Sequence, residues 1–333
     1  MGKRTCIGFD IGRSAVKVVA SAGGKRHELT FLSLVTPAVT ISDDREAAVA
    51  SKETVSVDGK NYFIGDTARI QGGPDTVIGM DDDWTNTPAH AALFLGGLKK
   101  LEEMGVPNVS TALIVVGLPA GAYGNKRGDY LGLASKLAPQ AEIKVAPQSM
   151  GPFFTMMFDD EGKEQANFDA DKNSWAVIEV GHFTTDFALI ENGRTVEKGF
   201  GSCEGLRVAV EEFQKLWQRA HPDKAEVKFA AATAAMETKK VKFRGNDIDV
   251  KEEVALSAAG LSQIILNRAN QFLGDRVNQL DGIKVAGGGA PLVIKTLQKQ
   301  WSHVSLADNA RHAVAEGFCR FAVGLERFRA KEA

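Results

Sequence analysis

Three short segments of the 333-residue chain combine glycine with acidic, hydroxyl and basic side chains at the ends of apolar runs: FDIGRSAVK around Gly12, EVGHFTTDF around Gly181, and VAGGGA around Gly288. A hairpin tip lines up successive backbone N–H groups around a small concavity that suits an anion such as phosphate. In the first segment Gly12 lets the backbone come close, Ser14 offers its hydroxyl and backbone to a terminal phosphate, and Lys17 offers a charge. Asp10 would hold Mg²⁺ through water, as magnesium keeps several waters. The same residues also make an ordinary solvated hairpin turn. In the second segment Gly181, Thr184 and Thr185 repeat the arrangement and Asp186 closes the turn, although paired threonines equally suit a plain strand. Two such tips facing each other clamp one triphosphate. The third segment, a strand followed by Gly287, Gly288 and Gly289 and then a helix, is open enough for an adenosine and its α-phosphate to rest on backbone.

The elements that must position these tips follow from hydrophobic periodicity. Residues 5–9 and 15–20 predict a hairpin, 27–40 one or two further strands, and 54–64 another hairpin turning at Asp58-Gly59. Ala92, Leu95, Leu98 and Leu101 predict a helix over 88–104, and STALIVVGL at 110–118 reads as a buried parallel strand. A helix over 123–137, a strand over 141–146 and a helix over 148–158 entered through Pro147 come next. The polar stretch 159–174 predicts a loop between lobes. Strands at 175–180 and 186–190, with a third near 195–200, then repeat the opening hairpin, which indicates two lobes built on one plan. Leu206, Val210, Phe213 and Trp217 form one helical stripe, and Leu261, Ile264, Ile265, Arg268 and Phe272 another; both read as core. A last core strand at 283–286, a helix over 290–301 and a helix over 309–328 complete the pattern.

With 40 basic and 42 acidic residues the net charge is -2, so no broad positive surface invites direct nucleic-acid binding. Cys6, Cys203 and Cys319 are far apart and lack CxxC spacing, which argues against a disulfide framework or a zinc site and fits a reducing cytoplasm. The N-terminal segment is broken by Asp10 and is expected to be neither signal peptide nor anchor. No apolar run reaches the ~18 residues a membrane helix needs, so no membrane partner is expected.

The two hairpin tips, the connector VAPQSMG at 145–151 and the late VAGGGA turn together resemble the actin, sugar kinase and heat-shock chaperone superfamily. Length, spacing and the closing DNARHAVAEGF are similar to the ParM/StbA plasmid-partition proteins. The resemblance implies an α/β, actin-like (ribonuclease H-like) fold of two lobes, each a mixed five-stranded sheet flanked by helices, with ATP or ADP and Mg²⁺ in the cleft between them. The lobes would be residues 1–168 with 305–333, and 169–304. It implies that Asp10 and Glu179 are paired magnesium-linked acids acting through water, and that Gln148 orients the attacking water. Gly12, Arg13, Ser14, Lys17, Gly181, His182, Thr184 and Thr185 would hold phosphates, and Gly287, Gly288, Gly289 and Ala290 the adenosine. Glu204 and Arg207 would lie near ribose and base, and Asn309 and Arg311 near the adenine. Glu179 stands where the family has aspartate, one methylene shorter, so either the site shifts by about 1.5 Å or the acid acts through an extra water. His182 stands where the family often has an acidic or small residue, and it also reads as a solvent-facing turn residue.

The function implied is an ATPase whose nucleotide state governs self-association into filaments, moving plasmid DNA through a DNA-binding adaptor. A metabolic kinase of the same superfamily, monomeric or dimeric, is the alternative; it needs a general base where the connector presents glutamine. A chaperone or membrane scaffold is disfavoured, since no C-terminal β domain or amphipathic membrane tail is expected.

Overall fold

A computed structural model describes residues 4–332 except 74, 75, 78, 80–82, 167 and 170. The chain forms two compact units, one of Met1–Phe168 with His312–Ala333 and one of Asp169–Arg311.

In the first unit, β1 (Cys6–Ile11), β2 (Ala15–Ala22) and β3 (Lys25–Leu32) form an antiparallel meander. β4 (Val35–Pro37), α1 (Asp44–Lys52), β5 (Thr54–Val57), β6 (Lys60–Ile64) and α2 (Gly65–Gln71) follow, the three strands making a small sheet in the order β4-β6-β5. Asp58 and Gly59, with φ of 47° and 76°, turn the β5–β6 hairpin as an Asp-Gly pair does. Then come α3 (Pro88–Glu103), β7 (Leu113–Leu118), α4 (Ala120–Leu137), β8 (Glu142–Pro147) and α5 (Met150–Met157). The main sheet runs β3-β2-β1-β7-β8, antiparallel in its first three strands and parallel in β1-β7-β8. Every residue of β1 and β7 is buried, which is why β7 reads as a continuous apolar run and β1 as one up to Asp10. The helix predicted from Pro147 begins instead at Met150. Pro147 still pairs with Leu118, and the Gln148 N–H donates to the Leu118 carbonyl, so the parallel ladder runs on into the connector.

In the second unit β9 (Trp175–Val180) and β10 (Thr184–Glu191) repeat the hairpin, followed by β11 (Arg194–Thr195) and β12 (Gly201–Glu204). The single third strand expected near 195–200 is split: β11 and β12 pair with opposite ends of β10, and a short 3-10 turn at Glu197–Gly199 separates them. α6 (Leu206–Ala220), α7 (Phe229–Thr238), the hairpin β13 (Lys240–Phe243) and β14 (Asn246–Asp249), α8 (Lys251–Leu273), β15 (Gly282–Ala286), α9 (Ala290–Gln300) and β16 (Val304–Leu306) complete it. The sheet has six strands, β11-β10-β9-β15-β16 with β12 beside β10. Leu206, Val210, Phe213 and Trp217 lie in this unit's core as their stripe predicts, as do Leu261 and Ile265. β16 pairs in parallel with β15, and the Ala310 carbonyl accepts from Gly287 N–H. Those bonds carry the second unit to Arg311, seven residues beyond the expected boundary at 304.

The last helix, α10 (Ala313–Glu332), belongs to the first unit, where it packs on β1 and α5. The polar stretch 159–174 lies across the unit boundary; its positions 167 and 170 fall outside the described residues. Asp159 folds its start, its carboxylate accepting from the N–H groups of Glu161 and Lys163.

Candidate functional site

In the first unit the β1–β2 turn is a tight one. A Cβ on Gly12 would stand 2.9 Å from the Ala15 carbonyl oxygen, closer than a side chain tolerates, and 3.1 Å from Lys17 Nζ. Ser33 braces the turn from β3's end, its hydroxyl donating to the Gly12 carbonyl and its N–H to the Ser14 carbonyl at 3.1 Å. Asp10, the last-but-one residue of β1, is 4% exposed. An uncompensated carboxylate is costly there, and two donors offset it: Lys17 Nζ at 2.9 Å from Oδ2, and Gln148 Nε2 at 2.9 Å from Oδ1. Asp10 and Lys17 face each other across the hairpin because they are register partners in β1–β2. The structure therefore brings Asp10, Gly12, Lys17 and Gln148 together. Ser14 is exposed at the tip, and Arg13 Nη1 donates to the Gly79 carbonyl at 2.9 Å. With Nε2 committed to Asp10, the Gln148 amide presents its oxygen as an acceptor for an O–H group.

In the second unit the β9–β10 turn is closed by Gly181 N–H donating to the Thr184 carbonyl at 2.9 Å. The turn's own carbonyls take the first N–H groups of α6: Leu206 donates to Gly181 and Arg207 to His182, at 3.0 and 2.7 Å. That helix end is thereby occupied by backbone. The Arg207 guanidinium lies over the Phe183 ring at 5.2 Å and 3.5 Å from Glu211, so it packs on the turn. His182 stands edge-on to Phe229 at 5.6 Å. Thr185 Oγ1 donates to the Glu204 carbonyl at 2.9 Å, while the Glu204 side chain is exposed and borders a groove of about 660 Å³ between β12 and α8.

Glu179 is 7% exposed and joins the second and third turns. Gly287 has φ of 90°, and a Cβ there would meet Val180 O and stand 2.5 Å from Glu179 Oε1. The extra methylene of glutamate is thus accommodated by the absence of a side chain at 287. Gly289 N–H donates to the Val180 carbonyl at 2.9 Å, holding the third turn against the second. Ala290 is fully buried at the start of α9, and Gly288 has open space around its α-carbon. Asn309 adopts a left-handed φ of 45° in the segment that reaches Gly287 through Ala310, and Arg311 is 3.5 Å from Glu237 at the end of α7.

Sequence reasoning undervalued Asp186. It is fully buried, opposite Glu179 in the β9–β10 register, and accepts from Ser202 Oγ and from Thr184 Oγ1, the latter at 3.1 Å. The available signal was an acid inside TTDFALI, since a charge within a core strand needs partners. Among the described residues no group of three or more His, Cys, Asp or Glu side chains is placed to hold a metal ion. In the second unit the buried neighbours Glu179 and Asp186 supply two carboxylates, the setting in which Mg²⁺ relies on water and phosphate oxygens.

Each unit matches a separate protein-family model: residues 8–132 match the N-terminal domain of actin-like proteins, and residues 177–299 the C-terminal domain of archaeal MreB-like actin homologues. The chain has the actin-like fold. Among solved structures, this actin-like chain aligns over 96% of its length with 99% of a subunit of a 15-stranded ParM filament from Clostridium botulinum, at TM-score 0.77 and 21% identity. An archaeal actin homologue in complex with ADP aligns with TM-score 0.70 and 18% identity, over 98% of this chain and 99% of that one. A Bacillus thuringiensis ParM with AMPPNP gives TM-score 0.63 and 16% identity, over 98% and 99%. At these identities the likeness is one of fold. A search of curated proteins returned no match.

Proposed function

We propose that the chain binds a magnesium nucleoside triphosphate with its three glycine turns, hydrolyses ATP, and assembles with copies of itself into filaments whose lifetime depends on the nucleotide. The observation that carries the reading is the Gln148–Asp10–Lys17 arrangement: a buried carboxylate held at 2.9 Å by an amide on one oxygen and an ammonium on the other, behind a glycine turn. Hydrolysis of a phosphoanhydride needs positioning and charge more than covalent help from protein. Gln148 orients a water by accepting from it, without being a strong base, which makes turnover slow until the connector is reordered. Lys17 and Arg13 bring positive charge to the first turn, Ser14 a hydroxyl at its tip, and Gly181, His182, Thr184 and Thr185 the second turn's backbone and hydroxyls. Gly287, Gly288, Gly289 and Ala290 would face the nucleoside, with Glu204, Arg207, Asn309 and Arg311 around it.

The carboxylate of Asp10, buried behind the first turn, and those of Glu179 and Asp186, buried and paired beside the second, each suit a magnesium ion held through water. When bound, that ion neutralises charge on the phosphoryl oxygens. Filament formation draws support from the fold shared with the 15-stranded ParM filament, and nucleotide binding from the ADP and AMPPNP complexes of other chains with this fold. Plasmid segregation through a DNA-binding adaptor, in the cytoplasm, is the use proposed for such a filament. No described helix is long and apolar enough to cross a membrane, and at a net charge of -2 the chain has no overall excess of basic side chains for DNA.

The test is phosphate release and sedimentation with Mg²⁺ and ATP, for the wild type, Asp10→Ala and Gln148→Ala. Nucleotide-dependent pelleting with turnover crippled in both variants supports the assignment; full turnover in both removes it. Turnover that needs a sugar or acid acceptor, without polymer, favours a kinase.

A further inference from the structure

The Gln148 amide reaches Asp10 across an intervening strand. The sheet order places β7 between β1 and β8. Neighbouring strands are about 4.8 Å apart, so the two side chains bridge about 10 Å over the surface of β7. They meet at 2.9 Å, Nε2 to Oδ1. Phe9 pairs with Val116 and Gly117 with Ala146, so Gly117 stands abreast of Asp10, in the path of the Gln148 side chain. Alternation along β7 puts Gly117 on the face of Leu113 and Val115, which share a core with Ala146 of β8 and with Val314 and Phe318 of α10. A Cβ on Gly117 would stand 2.8 Å from Gln148 Cγ and 2.9 Å from Phe318 Cε2. Neither neighbour yields easily: Cγ lies in the middle of the glutamine stem, whose amide is tied to Asp10, and the Phe318 ring is fully buried. Gly117 itself is buried within a regular strand and makes no turn. What the position uses is therefore the missing side chain rather than the conformational freedom of glycine.

We propose that Gly117 is a positioning residue for hydrolysis: its bare backbone is the notch through which Gln148 crosses β7, and it thereby sets where the amide oxygen holds the attacking water. This role rests on the one proposed for Gln148 above. An amide that donates to Asp10 through Nε2 has the direction of its oxygen fixed. A methyl group at 117 lifts the stem off the strand, which breaks that bond or turns the oxygen away. A displacement of about 1 Å in a group that orients a reactant costs up to about 10²-fold in rate. Gly117 belongs to none of the three glycine turns, so nucleotide affinity is spared.

The experiment is steady-state ATP hydrolysis, ADP binding and thermal unfolding of the full chain and of Gly117→Ala, Gln148→Ala and the double variant. Gly117→Ala should lower kcat by about 10- to 100-fold, with KM and ADP affinity within about 2-fold of the wild type. It should cost no further turnover once Gln148 is alanine. Melting gives an independent reading. Gly117→Ala should lower Tm, and lower it markedly less in the Gln148→Ala chain, where only Phe318 is left against the methyl group. A glycine needed for the strand alone would show equal Tm losses in the two backgrounds. That result, wild-type kcat in a folded Gly117→Ala, or a fall in ADP affinity matching the fall in kcat overturns the proposal. Should Gly117→Ala not fold, the double variant decides: one that folds supports the notch, and one that does not overturns it. A wild type that turns over no ATP defeats the hydrolysis reading itself, an outcome distinct from Gly117→Ala turning over as the wild type does.

Discussion

Replacing His90 by phenylalanine removes one proton-binding group from the interior while keeping an aromatic ring between Trp84 and Tyr130. In the folded chain burial, reinforced by Arg13, pushes the imidazole down to about 3 from an ordinary 6.5. The unfolded chain therefore binds one more proton than the folded chain everywhere between those values. Stability from this group is complete above pH 6.5 and is lost as pH falls toward 3. For a group titrating near 6.5 only when unfolded, the loss between pH 7.5 and 5.0 is about 2 kcal/mol, from RT ln(1 + 10^1.5). Carboxylates held below their usual range, such as Glu142 beside Arg329, titrate below this window. The other five of the six histidines are present in both proteins and cancel in the comparison. The assay is urea unfolding of wild type and His90→Phe at the two pH values. The wild type should lose about 2 kcal/mol more than the variant on acidification. Equal losses would mean that the ring is protonated or hydrated in the folded state, and the buried neutral stack would have to be abandoned.

Gln148→Ala removes both the donor to Asp10 and the acceptor proposed for water; ATP turnover should fall by about 10²-fold with nucleotide still bound and polymers longer lived, seen by single-turnover phosphate release and pelleting. Unchanged turnover would free Gln148 of any role. Gly287→Ala forces a side chain into a backbone with φ of 90° and against Glu179, so unfolding stability should drop by about 2 kcal/mol or more, and ADP should no longer raise the melting temperature. A variant as stable and as ADP-responsive as the wild type would dissociate the third turn from the site.

The hairpins were legible because their tips interrupt runs of β-branched residues with glycine and polar side chains, and because β1 and β7 are buried on both faces. The buried face of α3 is wider than the stripe of Ala92, Leu95, Leu98 and Leu101. His90, Leu93 and Phe94 are buried with Ala92 and Leu101, whereas Leu95 and Leu98 are only partly covered, since the helix meets neighbours nearly all round. α1 gave no periodic signal, as Ala50 is its one buried residue; the Asp43 cap that starts it becomes visible only with the Glu46 N–H in place. α2 begins at a glycine with φ of 61° and receives its cap from Glu53, whose carboxylate accepts from Thr67 N–H at 2.7 Å, a contact over fourteen residues that no local pattern encodes. At the candidate site, the approach of Gln148 to Asp10 depends on β8 lying two strands from β1 in a parallel sheet, which sequence order alone does not specify. Trp84, His90 and Tyr130 give no sequence signal of their stack because aromatic residues on apolar faces are ordinarily core.

In the proposed function nucleotide governs assembly. Electron microscopy of the purified chain with Mg²⁺ and no nucleotide, ADP, ATP or a non-hydrolysable ATP analogue tests it directly. Filaments should form with ATP and shorten as it is consumed, persist with the analogue, and be lacking without nucleotide. Dispersed particles in every state, or filaments indifferent to nucleotide, would contradict it.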